Sequence, residues 1–92
     1  MDSWPSKDPD EVLDYSFDWS ERLVSGETLS TSTMLLASGT VTLGANTIVG
    51  AVTKIWLSGG VAGGVSVITN RVVTNASRTY EKSAKLRIRS SA

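Results

Sequence analysis

Asp14 and Asp18 fall four residues apart in a stretch of strict alternation, so both carboxylates project from one face of an extended segment. A carboxylate pair is the least equipment a hydrolase needs for general acid and base work. It is also the best catalytic equipment this chain offers, because the sequence contains no His and no Cys. Nothing else frames a cleft around the two acids, and acids on an open strand face ordinarily serve solubility, so the sequence predicts no catalysis. Asp8, Asp10, Glu11 and Asp14 crowd together as calcium ligands would, but they lack the glycine and terminal glutamate spacing of a calcium loop. They read as a solvated acidic arm. Without Cys or His the commonest zinc ligands and all disulfides are excluded, and no metal or other cofactor is expected.

Lys85, Arg87 and Arg89 alternate with Leu86 and Ile88, which places three cations on one strand face at a spacing that could follow a phosphate backbone. The formal net charge is zero, no nucleic-acid motif is present, and no exposed aromatics recur at regular spacing. The row therefore reads as a charged outer face that meets water or an acidic neighbour. The glycine-rich run from Ser58 to Gly64 lacks the Lys and Ser/Thr that open a helix after a nucleotide-binding loop, and the residues after it look extended. Its glycines suit a tight connection from one sheet to another.

The elements that must position these groups are strands. Val65 to Thr74 and Arg78 to Arg89 are two long extended segments joined by Asn75-Ala76-Ser77, whose Asn and Ser favour a turn, and they read as a hairpin. In the second arm Tyr80, Ala84, Leu86 and Ile88 form an apolar face interrupted by Lys82. Leu13, Tyr15, Phe17 and Trp19 alternate with Asp14, Ser16, Asp18 and Ser20, the second clearest strand, whose rings should fill the core opposite Leu86 and Ile88. Thr28 to Leu36 reads as a strand, Thr40 to Leu43 as a short one between turns, and Thr47 to Lys54 as another. Ile55-Trp56-Leu57 follows, with Trp56 as a core anchor whose truncation would cost about 3–5 kcal/mol. Both faces of Val65 to Thr74 are apolar, so either Asn70 or Arg71 must point inward; Asn70 is favoured, since Arg71 can carry its charge to water.

At 92 residues, 40% hydrophobic and 20% charged, the chain has room for one modest core. The expected fold is all-β, an immunoglobulin-like antiparallel sandwich of about seven strands without a disulfide, with a small open barrel as the competing architecture. Residues 1–12, with Pro5 and Pro9, are expected as an extended N-terminal arm anchored by Trp4, and residues 13–92 as the sandwich domain. Neither a secretory signal nor a continuous apolar membrane span is visible. Acidic residues dominate as far as Glu27 and basic ones afterwards. Two readings follow: complementary fields that steer neighbouring copies or partners together, or neutralisation where first and last strands pair within one domain.

The run from Lys7 to Trp19, with Trp56-Leu57-Ser58-Gly59-Gly60, Thr69-Asn70-Arg71 and the stretch from Arg78 through Arg87, resembles a family of small tailed-bacteriophage proteins, the fiber-tail adaptors. The resemblance covers residues 7–89. It implies a non-enzymatic, immunoglobulin-like virion protein, present in multiple copies, that joins tail, fiber, connector or capsid proteins, with no membrane or nucleic-acid partner. Its implied location is the virion, and the host cytoplasm during assembly. Head decoration on the capsid is the alternative, and a nucleic-acid-binding module using the basic strand a further one. Under the resemblance Asp8, Asp10, Asp14 and Trp19 are structural or assembly-facing, and Trp56, Gly59 and Gly60 fix an inter-sheet turn. The candidate contact residues are Trp4, Asp8, Asp10, Asp14, Asp18, Lys85, Arg87 and Arg89. The chain departs from the family at Met34 and Ser66, where similar chains carry aromatics.

Overall fold

The computed structural model describes residues 2–90, which form seven strands: β1 (Asp2–Ser3), β2 (Leu13–Asp18), β3 (Leu29–Ser38), β4 (Val41–Val49), β5 (Val52–Gly59), β6 (Val65–Thr74) and β7 (Thr79–Arg87). Met1, Ser91 and Ala92, the ends of the expected arm and sandwich, lie outside the described residues. A four-stranded sheet, β1-β7-β6-β3, packs on a three-stranded sheet, β2-β5-β4, as an immunoglobulin-like sandwich. No ladder among the described residues joins the two sheets, which decides for a sandwich over a barrel. The body is elongated, about 46 × 19 × 17 Å.

The β6–β7 hairpin is the longest ladder, running from Val65 opposite Arg87 to Val73 opposite Thr79. Its turn closes with the Thr74 N–H donating to the Arg78 carbonyl, 2.8 Å, and places Ser77 at φ 61°. β2 turns Tyr15 and Phe17 inward, and Trp19 follows into the same interior; these rings share one core with Ile55, Leu57, Ile68, Val72, Ala84, Leu86 and Ile88. Removal of this apolar surface from water is the main force holding the two layers, since no covalent cross-link is available.

Asn70 is the polar hub of that interior and is fully buried. Its Oδ1 accepts from Trp19 Nε1 at 3.0 Å and from the Thr53 hydroxyl at 2.6 Å, while its Nδ2 donates to Ser32 Oγ at 2.9 Å and to the Thr33 carbonyl at 3.0 Å. All four of its bonding positions are used, so burial carries little desolvation penalty, and the amide ties both sheets together. Arg71 points outward and pairs with Glu81, as expected from its ability to reach water.

Two strand assignments are corrected. A single strand over Thr47 to Lys54 does not form, because the chain reverses at Gly50–Ala51: β4 ends at Val49 and β5 begins at Val52, the two residues facing each other. The short strand expected at Thr40–Leu43 instead runs on to Val49, through a bulge between Leu43 and Asn46 that absorbs Gly44 and Ala45. Trp56 is the third correction. With Ile55 and Leu57 both buried, period-two alternation leaves Trp56 on the outer face, 40% exposed, so it is not a core anchor.

Gly39 and Gly60 make the crossings between sheets possible. Gly39, φ 107°, lies where a β-carbon would sit 2.5 Å from the Ser66 α-carbon, and Gly60, φ 102°, where one would press on Ile88. Only glycine fits both the conformation and the approach. Small Ser66 leaves room for that turn and accepts the Thr40 N–H on its hydroxyl at 3.2 Å.

Candidate interaction surfaces

The first residues lie along β7 in parallel, Asp2 opposite Ala84 and Ser3 opposite Lys85. The pairing continues as Trp4 N–H donates to the Lys85 carbonyl at 2.9 Å, Lys7 N–H to the Arg87 carbonyl at 3.0 Å, and Arg89 N–H to the Lys7 carbonyl at 2.8 Å. Trp4 is half-buried and stacks on Tyr15 with centroids 4.8 Å apart, its other contact being Phe17 at 4.9 Å. The Tyr15 hydroxyl donates to the Pro5 carbonyl at 3.1 Å, and burial, with Glu11 nearby, raises its pKa above the usual tyrosine value. Lys7, only 1% exposed, donates from Nζ to the carbonyls of Gly59 at 2.7 Å and Asp8 at 2.8 Å. A cation inside the acidic arm thus bolts the arm to the loop that crosses between sheets.

The acidic residues do not converge. Asp8 and Glu11 cap a tight turn: Asp8 Oδ1 accepts from Asp10 N–H, and Glu11 Oε1 from Asp8 N–H, both at 2.8 Å. Asp14 stands on the outer face of β2, 3.7 Å from Lys54 Nζ. Asp18 stands on the same exposed face, and the Ser20 N–H at 2.9 Å and the Ser20 hydroxyl, with Lys82 in support, hold its carboxyl below the usual range. Four residues of strand separate Asp14 from Asp18 by roughly 13 Å, too far to share a proton or flank one scissile bond. Among the described residues no group of three or more acids is placed to hold a metal ion.

The basic residues form a row. Lys85 and Arg87 are exposed on the outer face of β7, and Arg89 continues the row; none has an ion-pair partner among the described residues. Val67 lies opposite Lys85 and Val65 opposite Arg87 on neighbouring β6, so an apolar strip borders the cations. Lys82 is separate from the row: its Nζ donates to the Asp18 carbonyl at 2.8 Å and lies 5.1 Å from the Trp19 ring centroid.

Three features escaped the sequence. Lys7 and Glu27 are both buried, and Trp56 is exposed. Glu27 Oε2 accepts from the Thr74 hydroxyl at 2.6 Å and Oε1 from Val24 N–H at 3.0 Å, with Arg78 at 3.7 Å; these interactions, the Thr74 bond foremost, hold its pKa below the usual value. No local pattern announces a charge whose partners come from distant strands. The exposure of Trp56 could have been found, since its two neighbours carry the core phase.

The described residues thus form two packed sheets with Lys85, Arg87 and Trp56 exposed on their outer faces. The family model described as Podophage GP4 fiber-tail adaptor protein gp77 matches residues 7–87. The chain belongs to that family of bacteriophage tail structural proteins. A comparison with curated proteins finds no match.

Proposed function

We propose that this protein is a non-enzymatic adaptor that joins tail and fiber components of a virion by protein–protein contacts, in several copies, after assembly in the host cytoplasm. The family match over residues 7–87 carries the reading. The surface chemistry supports it: Lys85 and Arg87 have no ion-pair partner among the described residues, and Asp14, Asp18 and Trp56 are presented on the opposite sheet. Asp14, Asp18, Lys85, Arg87 and Arg89 are the contacts in this reading. Trp4, Asp8 and Asp10 serve by fixing the arm beside them.

The test is assembly. Mixed with purified tail and fiber proteins of its own phage, the chain is expected to co-migrate with both on a sizing column, and density maps of intact particles are expected to place it where fiber meets tail. Placement on the capsid shell would replace this reading with head decoration. Salt-sensitive binding to labelled DNA, with no binding to tail or fiber protein, would replace it with a nucleic-acid module.

A further inference from the structure

The two sheets present unlike outer faces. On the four-stranded sheet the outer face carries Lys85 and Arg87 beside Val67 and Val65, with Arg89 beyond. On the three-stranded sheet it carries Trp56 at the centre of the middle strand with Asp14 directly opposite on β2. Both patches adjoin the Gly59–Gly64 crossing. Trp56 lies three residues before Gly59, Val65 follows Gly64, and the Ile88 N–H beside Arg87 donates to the Gly64 carbonyl at 2.9 Å.

We infer that the partner of the basic face is the Trp56–Asp14 face of a second copy of this chain, so that copies stack head to tail, sheet on sheet. Stacking sheet on sheet sets the basic row of one copy against Trp56 and Asp14 of the next. The chemistry of the two patches is complementary. An exposed indole accepts a guanidinium over its face, a neighbouring carboxylate takes the same guanidinium's N–H groups, and the valine strip meets the remaining edge of the ring.

The internal pair between Asp14 and Lys54 is long, at 3.7 Å, and both side chains are over 40% exposed, so an incoming arginine displaces little. The formal net charge of zero means that copies do not repel one another as wholes, while charge divided between opposite sides orients their approach. The contact is heterologous, because each copy uses different patches toward its two neighbours, and the angle between successive copies decides between a closed ring and an open stack.

The purified chain alone suffices for the test, so its outcome is independent of tail attachment. In sedimentation velocity the wild-type mass is expected to rise with concentration and to fall back with added salt. One variant, Lys85→Gln with Arg87→Gln, disables the basic face; a second, Trp56→Ala with Asp14→Asn, disables the other. All four positions are exposed, and circular dichroism checks that each variant keeps its strands. Each variant alone is expected to self-associate at least roughly tenfold more weakly. A mixture of the two is expected to form dimers and nothing larger, because only one functional pair of faces exists between them. A wild-type chain that stays monomeric up to its solubility limit would overturn the inference. So would variants that associate as well as wild type, or a mixture that stays monomeric or grows beyond dimers.

Discussion

The two long edges of the sandwich are finished in opposite ways. At one, the arm closes the gap between the sheets. β1 is only two residues long, Pro5 removes a donor, Trp4 stacks on Tyr15, and Lys7 clamps the Gly59 and Asp8 carbonyls. At the other, β3 and β4 face solvent as edge strands of ten and nine residues with no charge and no proline in either. Asn46 bridges them: its Nδ2 donates to the Ser32 carbonyl at 2.9 Å and its Oδ1 accepts from the Ser32 hydroxyl at 3.3 Å. Long uncharged edges invite pairing with other chains, and proteins usually blunt them with Lys or Pro. Here the ladders instead slip, between Leu29 and Thr31, Leu36 and Ser38, and Leu43 and Asn46, and each slip bends the edge out of the flat geometry a docking strand needs. One edge is sealed by side-chain chemistry and the other by irregular backbone.

The contrast can be broken in four places. Phe17, almost fully buried beneath Trp4 on the sealed side, should cost about 3–5 kcal/mol when changed to Ala, read from urea unfolding. A loss below about 1 kcal/mol would mean that the arm does not cover a packed core.

Lys7→Met keeps the apolar stem and removes the ammonium, leaving two carbonyls without their donor at a cost of about 1–3 kcal/mol. Hydrogen exchange should quicken in the amides joining the arm to β7 and stay unchanged in β6. Uniform quickening would show that Lys7 supports the whole fold.

Glu27 anchors the chain just before β3, and its effect is read by pH. Because its folded pKa is depressed, the stability it contributes is fully present above the unfolded value of about 4.3 and is lost as pH falls through the lower folded value. Wild type should therefore exceed Glu27→Gln at pH 7, with the gap in urea midpoints closing as the solution is made strongly acidic. A gap independent of pH would assign the effect to packing.

The smallest effect is expected at Leu35, 39% exposed on the open edge. Leu35→Lys should leave stability within about 0.5 kcal/mol of wild type in thermal unfolding. A larger loss would show that this edge is packed as tightly as the other.

Legibility followed the same division. The β2 alternation and the β6–β7 hairpin were readable, because one buried face imposes period two on every side chain it contains. The choice of Asn70 over Arg71 was readable too, since a neutral amide can be satisfied inside whereas a guanidinium reaches water more cheaply. β4 and β5 were misdivided because Ser, Thr and Gly blur the period, and a bulge shifts its phase partway along a strand. Of the candidate contact residues, the outward positions of Asp14, Asp18, Lys85 and Arg87 follow from that same alternation. The clamp at Lys7 and the network at Glu27 were invisible, because their partners lie 52 and 47 residues away along the chain.

By itself, then, the sequence determined the all-β class, the aromatic core stripe, the lack of disulfides, and the basic row on the last strand. Each rests on residue type or on a period confined to a few neighbouring positions. The tertiary structure decided which edge is closed and where a buried cation and a buried carboxylate find their partners. Those facts depend on which strands lie side by side, and pairing across a sheet joins residues that no local pattern connects.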